Sequence, residues 1–557
     1  IRRSSWSPVA GATRRVAGAG MERRLTPGSC ETEIINPELN IRFAWFGRGC
    51  AAHTLWAHER SGARAPANPA PCVPDRRLHR KPRRVAIDCR YCRLSVLLCV
   101  LPRESVSMSA SLAATSPSAQ PRSLRLLSTD DADADGARIA ALLDRLAPEL
   151  AADAARNDVD GRFPHENFAR LHRAGLIAQV VPREHGGAGA TLAQASRIVA
   201  AVARADPATA LVLTMTYLQH RALGRADNRW PAQVRRAVFD SAVTQGALIN
   251  ALRVEPALGS PSRGGLPETI ARRDGDGWRL SGHKLYSTGI PALRWLAVWA
   301  RTDEPAPRVG VFLVPRDRDA DGDRIRVIES WNHLGLRASG SHEVVFDDVR
   351  LPADHAVDVR APDAWAVSAA THADADAQAD QQAWMVALLG SLYDAVARAS
   401  RDWLVGFATT RAPSGLGAPL ATLPRVQEAV GEIEGWLHAN RVLLDDHIAR
   451  TDAGHAPTVT TSGLVKRTVT EHAIRVVEQA LKLSGNHGLS RANPLERHYR
   501  DVLCSRVHTP QDDAIAVAAG RAALEAANRS ETKRAPAGET ETSGAPVNET
   551  ERGRGDA

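Results

Sequence analysis

The hydrophobic period of this 557-residue chain changes twice, from helical to strand-like and back, and that order restricts the folds open to it. From residue 130 to about 225 apolar residues recur every three or four positions, as in Ile139, Leu142, Leu143, Leu146 and Leu150. A second such run over 196–205 closes at Asp206-Pro207, and the Pro182-Arg-Glu-His-Gly-Gly187 turn lies between the two. From about Gly246 the period shortens. An Asp274-Gly-Asp-Gly277 turn before Trp278-Arg-Leu-Ser281 predicts a hairpin. Segments 295–300, 309–314, 325–328 and 343–349, rich in Val, Ile, Trp and Phe, predict a small antiparallel barrel or sandwich. After Pro352 the helices return. Stretches 384–411, 423–450 and 464–484 are long enough for an antiparallel bundle, and a last helix is expected over 513–527.

The expected fold is therefore mainly α with a central β-domain: an N-terminal helical domain over 130–245, a β-domain over 246–358 and a C-terminal four-helix bundle over 359–528. This is not the βαβ alternation of a nicotinamide-binding Rossmann fold. Residues 108–129 read as a polar linker and 529–557, which lack large apolar side chains, as a disordered tail.

Charge and cysteine separate residues 1–107 from the rest. That segment holds 19 Lys and Arg against 8 Asp and Glu, leaving the other 450 residues near neutral, with 52 basic and 55 acidic side chains. The body thus gives no electrostatic reason to expect a nucleic-acid partner. Six of the seven cysteines also lie in the front segment, and a body with only Cys504 suits a reducing, cytoplasmic compartment. Cys89-Arg-Tyr-Cys92 has metal-ligand spacing, but a four-ligand site would need His79 and a distant cysteine, so no metal is expected. The Arg-rich front has some features of a transit peptide, but Glu22, Glu31, Glu33 and Glu38 interrupt it. The preferred reading is upstream sequence outside the fold, with Met108 as the natural start. No apolar run approaches the roughly 18 residues of a membrane span.

Five local motifs then occur in a particular order. They are Pro182-Arg-Glu-His-Gly-Gly-Ala-Gly189, Val254-Glu-Pro-Ala-Leu-Gly-Ser260 and Leu280-Ser-Gly-His-Lys-Leu-Tyr-Ser-Thr-Gly289. Leu334-Gly-Leu-Arg-Ala-Ser339 with Val345-Phe-Asp-Asp-Val-Arg-Leu-Pro352 follows, and Leu483-Ser-Gly-Asn-His-Gly488 with Arg500-Asp501 comes last. Together they resemble the signatures of the acyl-CoA dehydrogenase superfamily across about 400 residues. The resemblance implies a flavin, FAD or FMN, with Thr288 at ring N5, Tyr286 as the aromatic wall in place of the usual Trp, and Ser287 beside them. It implies that Ser260 lines the pyrophosphate or substrate side, that Lys482, Gly485 and Gly488 approach the cofactor, and that Arg411 reaches a neighbouring subunit's flavin phosphate in a homotetramer. Val254 and Lys482 depart from the family's usual Thr and Gln. Taken alone, Tyr286 and Thr288 also suit a half-buried strand, and Arg411 a helix end.

Acyl-CoA dehydrogenation needs a carboxylate to remove the α-proton. The family's usual Glu position falls here on Thr509, and the minority position near Met385; neither is an acid. A threonine hydroxyl does not ionise near neutral pH unaided. The neighbouring His508 could instead hydrogen-bond or protonate activated oxygen near a flavin. This resembles the monooxygenase branch containing dibenzothiophene monooxygenase and the sulfur-acquisition oxidoreductases. Such a reading implies O2 as co-substrate, a separate flavin reductase and a small, organosulfur-type substrate, with His220 and Thr509 as further pocket residues. Two alternatives stay open: a dehydrogenase whose displaced base is Asp380 or Asp376, and a flavin-binding paralogue without turnover.

Overall fold

The computed structural model describes residues 132–259, 265–316, 324–366 and 372–534, together with three short strands near the N-terminus. The chain divides into two units, Ile1–Ala114 and Thr115–Ala557. In the first, strands β1 (Glu22–Arg24), β2 (Thr32–Asn36) and β3 (Ile41–Trp45) form an antiparallel meander, with Thr32 opposite Trp45. β2 and β3 are rich in β-branched and aromatic residues, a pattern too short to register as a sustained apolar period. His79, Cys89 and Cys92 lie outside the described residues.

The second unit opens with six helices: α1 (Ala132–Ala151), α2 (Ala154–Asp160), α3 (His165–Arg173), α4 (Leu192–Ala205), α5 (Pro207–Gly224) and α6 (Ala232–Gln245). Their starts are chemically marked. Thr191 and Gln194 form a reciprocal capping box on α4. The Asp206 carboxylate caps α5 through the Ala208 and Thr209 N–H groups, and Pro207 occupies the first helical turn. The Asp452 carboxylate reaches back 260 residues to accept from Leu192 N (2.8 Å) and Ala193 N (3.0 Å). Between α3 and α4, Gly187 lies so close to the preceding chain that a Cβ would sit 2.0 Å from the Val181 carbonyl oxygen. Close backbone approach therefore explains the glycine of the Pro182–Gly189 motif.

The middle domain is one curled sheet of eight strands: β4 (Leu248–Leu252), β5 (Ile270–Asp274), β6 (Gly277–Lys284), β7 (Leu293–Thr302), β8 (Val309–Pro315), β9 (Ile325–Ile328), β10 (Glu343–Leu351) and β11 (Ala356–Arg360). The path runs β11-β8-β7-β5-β6-β10-β9, with β4 beside β7. The expected β5–β6 hairpin forms, with Asp274 opposite Gly277. The sheet is mixed rather than wholly antiparallel, because β4 and β5 both run parallel to β7. Strand β7 is covered on both faces. Leu296, Val298 and Ala300 enter the main core, while Trp295, Ala297 and Trp299 enter a second core against α6. That double burial explains why β7 reads as a continuous apolar run.

A short helix, α7 (Pro362–Ala366), precedes the C-terminal bundle of α8 (His372–Thr410), α9 (Pro424–Asp452), α10 (Val459–Ser484) and α13 (Asp512–Arg534), with α11 (Asn486–Leu489) and α12 (Leu495–Leu503) between the last two. Helix α13 runs seven residues beyond its expected end at Ala527, into the segment read as a tail from 529. Helices α4, α5, α9 and α10 all pack on α8, so the N-terminal and C-terminal domains share one core. Among the described residues no helix is long and apolar enough to cross a membrane.

The late Arg500-Asp501 signature is a clamp between domains. Arg500 donates to both oxygens of Asp158 on α2 (2.9 and 2.6 Å), to Glu496 and to the Leu334 carbonyl (3.0 Å). The Asp501 carboxylate accepts from Leu336 N at 2.6 Å. Gly335 between these contacts has no room for a side chain, because a Cβ would lie 2.1 Å from the Arg500 carbonyl oxygen.

Candidate active site

Strand β6 ends on a buried ion pair. Lys284 Nζ donates to Glu255 Oε1 at 2.6 Å and to the Trp299 carbonyl oxygen. Glu255 also accepts from Glu268 N (2.7 Å), Thr269 N (3.0 Å) and Thr269 Oγ1 (2.6 Å). Burial pulls the Lys284 ammonium down to about 8 against the opposing pull of Glu255. Glu255 and Lys284, one from each of two sequence motifs, thus form internal framework and fix where the strand releases the chain.

Immediately beyond, Tyr286 adopts a left-handed φ of +54° and leaves 53% of its surface open. A non-glycine residue in that region is strained, and the turn around it must compensate. The compensation is visible: Ser287 N donates to the His342 carbonyl (3.1 Å) and Gly289 N to the Ser339 carbonyl (3.0 Å). Thr288 Oγ1 lies 2.9 Å from Ser341 Oγ, which is itself 2.8 Å from Ser339 Oγ. Asn250 Nδ2 holds the Thr288 carbonyl at 3.0 Å. The Tyr286 ring stands edge-on to Trp331 and His333, which stack on each other at 3.7 Å. Leu334, 61% exposed, follows them. The side chain of Ser287 points elsewhere: it is fully buried and its Oγ has no hydrogen-bond partner, so the tertiary packing removes it from the exposed wall.

The second group lies on the turn after α12. His508 Nδ1 is 2.6 Å from the hydroxyl of Tyr393, a fully buried residue of α8. Burial, with Lys466 nearby, pulls the imidazole down to about 4, so it is neutral at physiological pH. Lys466 on α10 secures this turn by donating to the Ser505 carbonyl and to Asp512 Oδ1, both at 2.7 Å. Thr509 is exposed beside His508. Among the described residues no hydrogen bond joins Thr288 to His508. The Arg500-Asp501 clamp ties α12, which precedes the His508 turn, to the 334–336 loop, which follows the Trp331–His333 stack on Tyr286.

The remaining expected residues are scattered. Ser260 lies outside the described residues. Arg411 is exposed just past α8, and among the described residues its guanidinium has no partner. Lys482 is exposed in the last turn of α10, and Gly485 caps that helix at φ +56°, ψ −133° with open space where a Cβ would stand. Gly488 has a packing reason instead, since a Cβ there would lie 2.2 Å from Ser484 Oγ. His220 is fully buried with both ring nitrogens unpartnered, beside a cavity of about 290 Å³ lined also by Val180, Arg183, Arg221 and Gly224. Asp380 is unsuited to act as a displaced base, because Arg221 (3.0 Å) and Arg225 (2.8 Å) both grip its carboxylate. Asp376 is exposed on α8, and Met385 packs against the core. No group of side chains that could hold a metal occurs among the described residues. Sequence reasoning missed Tyr393, Lys466, Asn250, Ser341 and the Trp331–His333 stack. Their partners lie 38 to 115 residues away for all but the two stacked neighbours, and no local pattern signals such pairings.

An exposed aromatic ring, a half-buried hydroxyl and an apolar rim suit a planar heteroaromatic group with apolar faces and a polar edge. Residues 139–224 match the N-terminal domain of acyl-CoA dehydrogenase, 253–349 its middle domain and 395–513 its C-terminal domain. A Bacillus subtilis (strain 168) protein named "Putative acyl-CoA dehydrogenase YdbM" is 33% identical over 375 residues, spanning 67% of this chain and 92% of that protein. The chain belongs to the acyl-CoA dehydrogenase family. It is an enzyme of the flavin-dependent oxidoreductase type that its relatives represent. L-evernosamine nitrososynthase of a Micromonospora species is 31% identical over 411 residues, spanning 70% of this chain and 90% of the relative. The structure of KijD3 in complex with FMN and dTDP-3-amino-2,3,6-trideoxy-4-keto-3-methyl-D-glucose superposes with a TM-score of 0.60 at 29% identity, over 70% of this chain and 93% of that one.

Proposed function

We propose that the chain is a reduced-flavin monooxygenase acting with O2 on a small substrate. The observation that carries this reading is the neutral, tyrosine-bonded His508 on the turn where the family's α-proton base would stand, with Thr509 in place of the acid. With its proton affinity pulled down to about 4 and Nδ1 engaged by Tyr393, this imidazole is a weak general base, and it is suited instead to hydrogen bonding. The relatives point the same way: a nitrososynthase is among them, and KijD3 is seen with FMN and an amino sugar nucleotide.

When bound, the reduced flavin supplies two electrons to O2, so that one oxygen atom passes to the substrate and the other leaves as water. Tyr286 would stack on the ring and Thr288 would bond its polar edge. Arg411 would reach the phosphate of a flavin in a neighbouring subunit, where a planar bidentate donor serves well. Exposed apolar side chains on the bundle, among them Val442, Leu464 and Val517, support burial in a homotetramer. A separate reductase would deliver the reduced cofactor. Acyl-CoA dehydrogenation is the second reading, supported by the YdbM resemblance. One of the two candidate bases for it, Asp380, is committed to two arginines.

The test supplies the protein with reduced FMN or FAD under 18O2, offering dibenzothiophene, indole and an amino sugar nucleotide in turn. One labelled oxygen in a product is expected. Bleaching of bound FAD by an acyl-CoA, without oxygen incorporation, refutes the reading in favour of a dehydrogenase. Inertness in both assays with flavin bound refutes it in favour of a paralogue without turnover.

A further inference from the structure

We infer that Tyr393 is a positioning residue that holds His508 as a single tautomer, with the proton on Nε2, so that the open edge of the ring is a fixed hydrogen-bond donor. The inference rests on the proposed role of His508, and it names the group that sets that role.

The argument is an accounting of protons. Tyr393 is fully buried on α8, where Leu392 and Val396 pack into the core on either side. Burial, with the charges of Cys504 and Asp501 nearby, pushes its phenol well above the usual range, so the oxygen keeps its hydrogen at any physiological pH. Its one hydrogen bond among the described residues is the 2.6 Å contact to His508 Nδ1. If Nδ1 carried the ring proton, the tyrosine oxygen would accept it and its own hydrogen would point at nothing. A buried donor left without an acceptor costs about 1–3 kcal/mol. If the tyrosine donates, both groups are satisfied. Nδ1 is then bare and accepting, and the ring proton of the neutral imidazole belongs on Nε2.

The other side of the ring supports this placement. Nε2 has no hydrogen-bond partner among the described residues, yet it is not among the sealed, unpartnered atoms of the interior. It keeps some contact with solvent. The turn that carries it is held at both ends, since Lys466 binds the Ser505 carbonyl on one side and Asp512 on the other. Neither end is free to rotate the ring away.

A consequence for the chemistry follows. A neutral imidazole gives up its N–H proton only in strong base, and a buried phenol that keeps its own hydrogen does not change that. His508 therefore orients and stabilises an oxygen by hydrogen bonding, and the proton consumed in forming water arrives from solvent. This matches the low proton affinity of the ring, which stays uncharged from neutral pH down to about 4.

The test is magic-angle-spinning nitrogen NMR on the full-length chain with 15N-labelled histidine imidazoles, with the His508 signals assigned by their loss in His508→Gln. In the wild type, His508 is expected to show one protonated nitrogen, Nε2, and one bare nitrogen, Nδ1. In Tyr393→Phe the two shifts should move toward each other as the tautomers mix. A wild-type spectrum with the proton on Nδ1 overturns the inference, and it needs no variant to fold. An unchanged tautomer in a folded Tyr393→Phe protein overturns it equally. Neither outcome depends on turnover, so a failed monooxygenase assay and a failed tautomer assignment are separate results. Where turnover is measurable, Tyr393→Phe should lower kcat about tenfold or more with KM little changed. Activity should also be flat across the pH range in which the imidazole stays neutral.

Discussion

Replacing Lys284 with methionine removes the countercharge from a carboxylate sealed inside the sheet, and the structure fixes how large the effect should be. Glu255 and Lys284 are both essentially inaccessible, and the 2.6 Å bond between them is one of four that Glu255 accepts. Burial alone would push the Glu255 carboxyl up, but the hydrogen bonds from Lys284 and Thr269 outweigh it and leave it below its ordinary value. Lys284→Met deletes the largest of these opposing contributions and leaves an uncompensated buried charge, which costs about 3–5 kcal/mol. Adding Glu255→Gln removes the charge while keeping an acceptor for Thr269, but it turns an amide NH2 toward Glu268 N. The double variant should recover part of the loss and retain a deficit of about 1–3 kcal/mol. Urea unfolding of the wild type, both single variants and the double variant measures this directly. The pH dependence gives an independent check. The wild-type contribution of Glu255 is present above its unfolded value of about 4.5 and is lost as pH falls through its lower folded value. In Lys284→Met the carboxyl has no cation to hold it down, so it can take up a proton in the folded state. The gap between wild type and variant should therefore narrow on acidification. A single variant that loses less than about 1 kcal/mol, or a double variant worse than the single one, would show that the pair is not the framework described.

Two further outcomes follow from other buried groups. Burial pushes Asp501 up to about 7, so the folded chain holds a proton there that the unfolded chain, near 3.8, has released. This contribution is fully present below the unfolded value and is lost as pH rises toward and through 7, so Asp501→Asn should flatten the fall in thermal midpoint between pH 5 and 8. An unchanged slope would mean that another group carries it. His220 is pulled down to about 3 by burial, so the folded chain resists a proton that the unfolded chain takes up near 6.5. His220→Leu should be neutral or stabilising by about 1 kcal/mol at pH 7.5 and should reduce acid lability between pH 6.5 and 3. Denaturation at pH 5 and 7.5 reads both effects, and a marked loss of stability would show that the two ring nitrogens have partners in solution.

Period, capping and turn chemistry are local properties, and they settled the order of the domains and the placement of the motifs. The Asp274–Gly277 hairpin, the helix end at Asp206-Pro207 and the Pro182–Gly189 turn were all legible from neighbours in the chain, whereas the helix that Asp206 also starts was not. Thr288 and Tyr286 stood out as candidates because one short motif contains both. What the motif could not say is that Ser287 between them turns inward, or that Glu255 and Lys284 spend their charges on each other. The parallel pairing of β4 and β5 with β7 was hidden for a similar reason: a strand buried on both faces carries no sign of its neighbours' direction. Tertiary structure alone decided the surroundings of His508. The tyrosine that bonds it comes 115 residues earlier on a helix whose own sequence reads as plain core, and only packing brings a phenol within 2.6 Å of an imidazole. A hydrogen bond is specified by position in space, and spacing along the chain predicts position only across a turn or two.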